Sequence, residues 1–346
     1  MSTVSGQFGG TSSTGTRERT YHFDESQTHF STSGPHSGLT LIEVLVSIAM
    51  IGGLVAMMLP SLQLARESSR SIRCLNNLKQ LSLGVLNYES RARELPPAVS
   101  PSPRHTWIAF ILPYLEHSAT YDSLDWSTDW DSESNRSAVR QSINVLGCSS
   151  TPIPANRLAP IETAGQGPDL PEVGSDSALC AITDYATPSF VARILIGQQY
   201  IPPTEDVRGA LDRMKATPLR RIKDGTSKTL LVVESAGRPE HWTARGKGPQ
   251  ESFPGGGNYS VQGGHVKGAG WSDPKSITPL HGFQPNGLSC PGPCAINCTN
   301  NNEAFSFHPQ IVNVAYADGH STRLNENTDI KVYASLITRN GGETTH

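Results

Sequence analysis

The chain has 346 residues, a length suited to one large domain or two ordinary ones. Hydrophobic residues make up 36% and charged residues 17%, with 32 Gly and 25 Pro, a balance that favours loops and short strands over helix bundles. The formal net charge of -3 carries no basic excess, which argues against a nucleic-acid binder, and no long like-charge block points to wholesale disorder.

In chain order, residues 1–38 are rich in Ser, Thr and Gly and have no apolar periodicity, so they read as a disordered leader. Residues 39–59 read LTLIEVLVSIAMIGGLVAMML, with Glu43 their single charge. A helix of that length spans about 30 Å, the thickness of bilayer hydrocarbon, and a membrane span is predicted. A secretory signal has a shorter apolar core, roughly 7–15 residues, and a small-residue cleavage site. Here Pro60 follows instead. A carboxylate inside a span is costly and marks function, which singles out Glu43. Only Arg17 and Arg19 precede the span, whereas Arg66, Arg70, Arg73 and Lys79 follow it. Charge alone would therefore leave the C-terminal part in the cytoplasm.

Residues 60–93 continue as an amphipathic helix. Leu62, Ala65, Ile72, Leu75, Leu78, Val85 and Leu86 recur at spacings of three, four or seven. Pro60 is tolerated within such a helix, and Pro96-Pro97 ends it. Residues 94–346 then alternate short apolar runs with turn signals. Runs at 144–146 and 229–234, the latter behind Asp224-Gly225, read as strands. Runs at 312–317 and 321–324 flank Asp318-Gly319, a strong hairpin signal. An antiparallel sheet with one face on the amphipathic helix is the simplest arrangement, giving an α+β fold. The Gly/Pro-rich stretches 153–180 and 236–300 read as long loops.

Candidate chemistry is sparse. His308 and Asp318 could form a metal or acid–base pair, but an extended strand holds them up to about 30 Å apart. A hairpin, with Asp318-Gly319 as its turn and His308 at the start of the first strand, is the simpler reading. The cysteines are Cys74, Cys148, Cys180, Cys290, Cys294 and Cys298. The last three lack the paired spacing of a zinc ribbon, and outside the cytoplasm disulfides are expected instead. An acidic stretch, Asp122, Asp125, Asp129, Asp131 and Glu133, fails the calcium-loop pattern at Ser134 and Arg140 and reads as a solvated loop. Trp242, Trp271 and Tyr259 in Gly-rich loops could meet sugars from an exposed position, or anchor those loops. Nucleophile-elbow, phosphate-loop and zinc-protease motifs are missing, so no catalytic residue, metal or cofactor is assigned and no enzyme is expected.

The string GLTLIEVLVSIAMIGGLVAMMLP resembles the N-terminal signature of type IV prepilins and of the pseudopilins of type II secretion. The resemblance implies cleavage by a prepilin peptidase between Gly38 and Leu39, N-terminal methylation, and Glu43 as the fifth mature residue. There Glu43 would pair with a neighbouring subunit's amine. Leu39 stands where that family usually has phenylalanine. Further stretches resemble the pilin-like H-x9-DG family, also called domain of unknown function 1559. They are RESSRSIRCLNNLKQLSLGVLNYES, WIAFILPYLEHSATYDSLDW, NVLGCSSTP, RIKDGTSKTLLVVES and FSFHPQIVNVAYADGHSTRLNENTD. They carry the motif residues Asp224, Gly225, His308, Asp318 and Gly319. Lys228, Ser149 and Gln310-Ile311 depart from the usual pattern. The resemblance implies a structural subunit in the inner membrane, with its head outside the cytoplasm, that self-assembles or joins other pilin-like subunits in a pilus or pseudopilus. It also implies a Cys74–Cys148 disulfide stapling helix to sheet. A monomeric membrane-tethered binding or hydrolytic protein, using the helix only as an anchor, is the alternative.

Overall fold

The computed structural model describes residues 40–152, 157–160 and 179–342. The chain divides into two compact units, Met1–Met57 and Met58–His346. One helix, Leu41–Ala92, runs through that boundary and through Pro60. Pro60 has no N–H, so the turn there forfeits one backbone bond, and the helix continues regardless. Residues 41–66 are exposed throughout, including Leu41, Ile42, Met57, Met58 and Leu64. This helix is long and apolar enough to cross a membrane, and its most apolar window has no buried share.

Beyond Glu67 the same helix is buried along one stripe, Ser71, Cys74, Leu78, Leu81, Ser82, Gly84 and Val85. The stripe differs from the sequence expectation at three places: Leu62, Ala65 and Ile72 are exposed. Counting only large apolar residues misplaces it, because two serines, a cysteine and a glycine share the buried face. Small residues suit that face, because the sheet strand beneath it offers small residues in return.

The strands are β1 (Leu158–Pro160), β2 (Leu179–Ala181), β3 (Tyr185–Ala186), β4 (Leu230–Glu234), β5 (Trp242–Thr243), β6 (Gly246–Lys247), β7 (Ile311–Tyr316) and β8 (Ser321–Asn325). The main sheet is antiparallel, in the order β3-β4-β7-β8, and β1–β2 and β5–β6 form separate pairs. Along β7, Val312, Val314 and Tyr316 join a core with Tyr333 and Ile337 of the C-terminal helix Ile330–Ile337. Ala315 and the following Ala317 belong to the core of the long helix, with Cys74, Leu78, Leu81 and Val85. The period of two thus sends β-branched and aromatic side chains one way and small ones the other. Both faces of the sheet are covered, so the expected single helical layer is one of two. Trp107 and Trp271 are fully buried in the core on the long helix's side.

The run at 144–146 is a 3-10 turn, Asn144–Leu146, rather than a strand. Its Asn and the glycine after it favour a local turn over a ladder. Leu146 still packs into the core, so the apolar residue is buried without a strand around it. Asp318-Gly319 is the turn between β7 and β8, with Gly319 at φ +92°. The Asp224-Gly225 loop docks on that turn, since the Asp318 N–H donates to the Thr226 carbonyl at 3.1 Å.

Candidate functional site

At the start of the long helix, Thr40 and Glu43 form a capping box. The Thr40 N–H and its hydroxyl both donate to Glu43 Oε2 at 2.8 Å, and the Glu43 N–H donates to Thr40 Oγ1 at 3.4 Å. Gly38 and Leu39, the other two processing residues, lie outside the described residues.

The strongest convergence of chemistry lies elsewhere. Cys74 of the long helix, Cys148 just after the 3-10 turn, Glu234 at the end of β4 and His308 just ahead of β7 present donor atoms all within 4.8 Å of one another. All four are buried, Cys74 and Glu234 completely. A β-bulge in β4 between Leu230 and Val232 aims Glu234. Leu230 faces the C-terminal helix, and strict alternation would send Glu234 the same way. The bulge shifts the phase so that Val232 joins the long helix's core, and Glu234 follows it. Gln310, at φ +61°, turns the chain between His308 and β7.

The distances define a compact cluster. Cys74 Sγ lies 2.7 Å from Cys148 Sγ. His308 Nε2 is 3.3 Å from Glu234 Oε1 and 3.5 Å from Cys148 Sγ. Its other nitrogen, Nδ1, meets Glu67 Oε1 at 2.5 Å. Glu234 is held by Asn313, whose N–H donates to Oε2 at 2.9 Å and whose Nδ2 donates to Oε1 at 3.1 Å. The Cys148 N–H donates to Asp184 Oδ2 at 2.9 Å, which fixes its backbone.

These contacts set the protonation pattern. The hydrogen bond from Cys148 brings the Cys74 thiol down to about 6, against the effect of burial. Giving that bond, together with burial, drives Cys148 upward. Burial opposes the His308 imidazolium, but its bonds with Cys74, Glu234 and Glu67 prevail and push it up to about 10. These bonds thus favour the proton on Cys148 and on His308 over Cys74. Chemically, the two sulfurs can form a bond, or the four donors can close on a cation.

The remaining sequence candidates separate. Asp318 does not join His308: its carboxylate accepts from His320 Nδ1 at 2.6 Å, and the pair sits at the hairpin turn. His308, expected merely to begin a strand, is the heart of the cluster. Trp271 is buried and donates from Nε1 to the Gln141 carbonyl at 3.1 Å, so of the two roles open to it, sugar contact or loop anchor, it takes the second. In the acidic stretch, Asp129 pairs with Arg104 at 2.6 Å. Cys294 and Cys298 form a disulfide. Cys74 and Cys148, the expected staple, are brought together with their sulfurs 2.7 Å apart. Sequence reasoning missed Glu67 and Glu234, although both lie inside stretches that carried the resemblance.

Fold and cluster together define a class: an α+β protein with a long N-terminal helix, exposed and apolar at its start, and a buried Cys-Cys-Glu-His centre. A family profile described as "Protein of unknown function (DUF1559)" matches residues 63–331, and the chain belongs to that family. Neither a curated protein nor a solved structure matches it.

Proposed function

We propose that the chain is a structural, prepilin-like subunit. Prepilin peptidase cuts it between Gly38 and Leu39. Residues 39–59 hold it in the inner membrane, and it then assembles with its own copies or other pilin-like subunits into a pilus or a secretion pseudopilus. One observation carries this reading. Residues 41–59 form a helix whose large apolar side chains are exposed on every side, beginning at a capped Glu43. A helix of this kind needs lipid or neighbouring helices around it. The Cys294–Cys298 disulfide supports a head outside the cytoplasm, where disulfides persist. The role is structural rather than catalytic.

Mass spectrometry of the protein from its native host tests the reading. The expected N-terminus is Leu39, carrying a methyl group. An N-terminus upstream of Gly38 in the membrane-embedded protein would overturn it.

A further inference from the structure

Four side chains from four distant stretches close on one buried point, and a staple between two cysteines explains only half of them. We propose that Cys74, Cys148, Glu234 and His308 bind one divalent cation of the zinc class, with Glu67 orienting His308 from behind. The site needs no filament assembly, and only the choice between metal thiolates and a disulfide rests on the oxidising compartment of the proposed function.

The donor chemistry is the first argument. Two sulfurs, one imidazole nitrogen and one carboxylate oxygen make a four-coordinate set of the kind zinc takes, and the two thiolates disfavour magnesium or calcium. The ring orientation is the second. Glu67 engages His308 Nδ1, which turns Nε2 toward Cys148 and Glu234. A carboxylate behind a histidine is the usual outer support of a histidine ligand. Outer support recurs at Glu234, held by Asn313, and at the Cys148 backbone, held by Asp184.

The third argument is the sulfur pair. A disulfide bond needs about 2.05 Å, while two zinc-bound thiolates at about 2.3 Å from the ion stand roughly 3.8 Å apart. At 2.7 Å the two sulfurs stand closer than unbonded sulfurs pack, so they shift whether they bond to each other or to an ion. Receiving the ion means opening the pair by about 1 Å. In an oxidising compartment, touching thiols persist either as a disulfide or as metal thiolates. A disulfide makes no use of His308 Nε2 or Glu234 Oε1, both aimed at the sulfurs, and a cation uses both. One of the four donors borders a surface cleft of about 700 Å³, which Cys148 lines with Arg73, Asn77 and Ser149.

The test uses the full chain, purified in detergent, reduced and freed of metal, then titrated with Co2+ alone and with Zn2+ in competition. The expected result is about one Co2+ per chain, with the visible bands of tetrahedral, thiolate-bound cobalt, displaced by Zn2+. His308→Ala and Glu234→Gln should abolish those bands. Glu67→Gln removes none of the four donors and should weaken binding about ten- to a hundred-fold. Circular dichroism of each variant separates lost binding from lost folding, and Glu67→Gln, at the rim of the cluster, keeps the test open if the buried variants unfold. Reduced, folded protein without thiolate–cobalt bands would overturn the proposal. So would a Cys74–Cys148 cross-linked peptide in a non-reducing digest of protein from its own host.

Discussion

At the scale of single residues, Glu43 has two claims on it. Within its own helix it completes a capping box with Thr40. In the proposed assembly its charge faces a neighbouring subunit's amine. Two substitutions separate these roles. Thr40→Ala removes the cap and should weaken the first turn by about 1 kcal/mol. Glu43→Gln preserves the box, because glutamine fills the same place, but deletes the charge. Co-expressed with wild type, Glu43→Gln should insert in the membrane yet fail to enter filaments, while Thr40→Ala should still enter them. The reverse pattern would leave Glu43 as a cap alone.

At the scale of elements, the β7–β8 hairpin meets the long helix through its turn. Gly319 sits at φ +92°, and an added Cβ would stand 3.1 Å from Leu86 Cδ1. The Ser82 hydroxyl donates to the Gly319 carbonyl at 3.4 Å. Gly319→Ala should therefore cost on the order of 1–2 kcal/mol from the left-handed backbone, with the displacement of Leu86 added. A lower denaturation midpoint with an unchanged slope is the expected sign. An unchanged midpoint would mean the turn relaxes away from the helix. The hairpin was readable from sequence because its runs alternate and its turn carries Asp-Gly. The bulge in β4 was not, since Leu-Leu-Val-Val-Glu gives no outward mark of a phase change. The direction of Glu234 was hidden for that reason.

Across the whole molecule, stability should fall on the acid side. His105 and His241 are buried, and burial lowers both, partly offset at His105 by its bond to the Thr128 carbonyl and by Asp129 and Asp125. Their folded pKa values lie below the ordinary 6.5, so the unfolded chain takes up protons first as pH drops. The stability they contribute is present above pH 6.5 and is lost as pH falls through their folded values. Thermal melts between neutral pH and pH 5 should show the decline, and His105→Asn should make it shallower by about one proton's worth. A slope unchanged in that variant would assign the effect to other groups. The α+β architecture was legible because each layer rests on local periodicity. The Cys-Cys-Glu-His cluster was not, because its members stand dozens of residues apart and only the fold adds them together. That dispersal has a consequence for how the protein is made. Its last member, His308, is synthesised after two cysteines and a glutamate that wait for it. A product that stops short of residue 308 cannot close the centre, however well its earlier parts have folded. Such a product also lacks β7, β8 and the C-terminal helix, so the centre and the main sheet are completed by the same last stretch of chain.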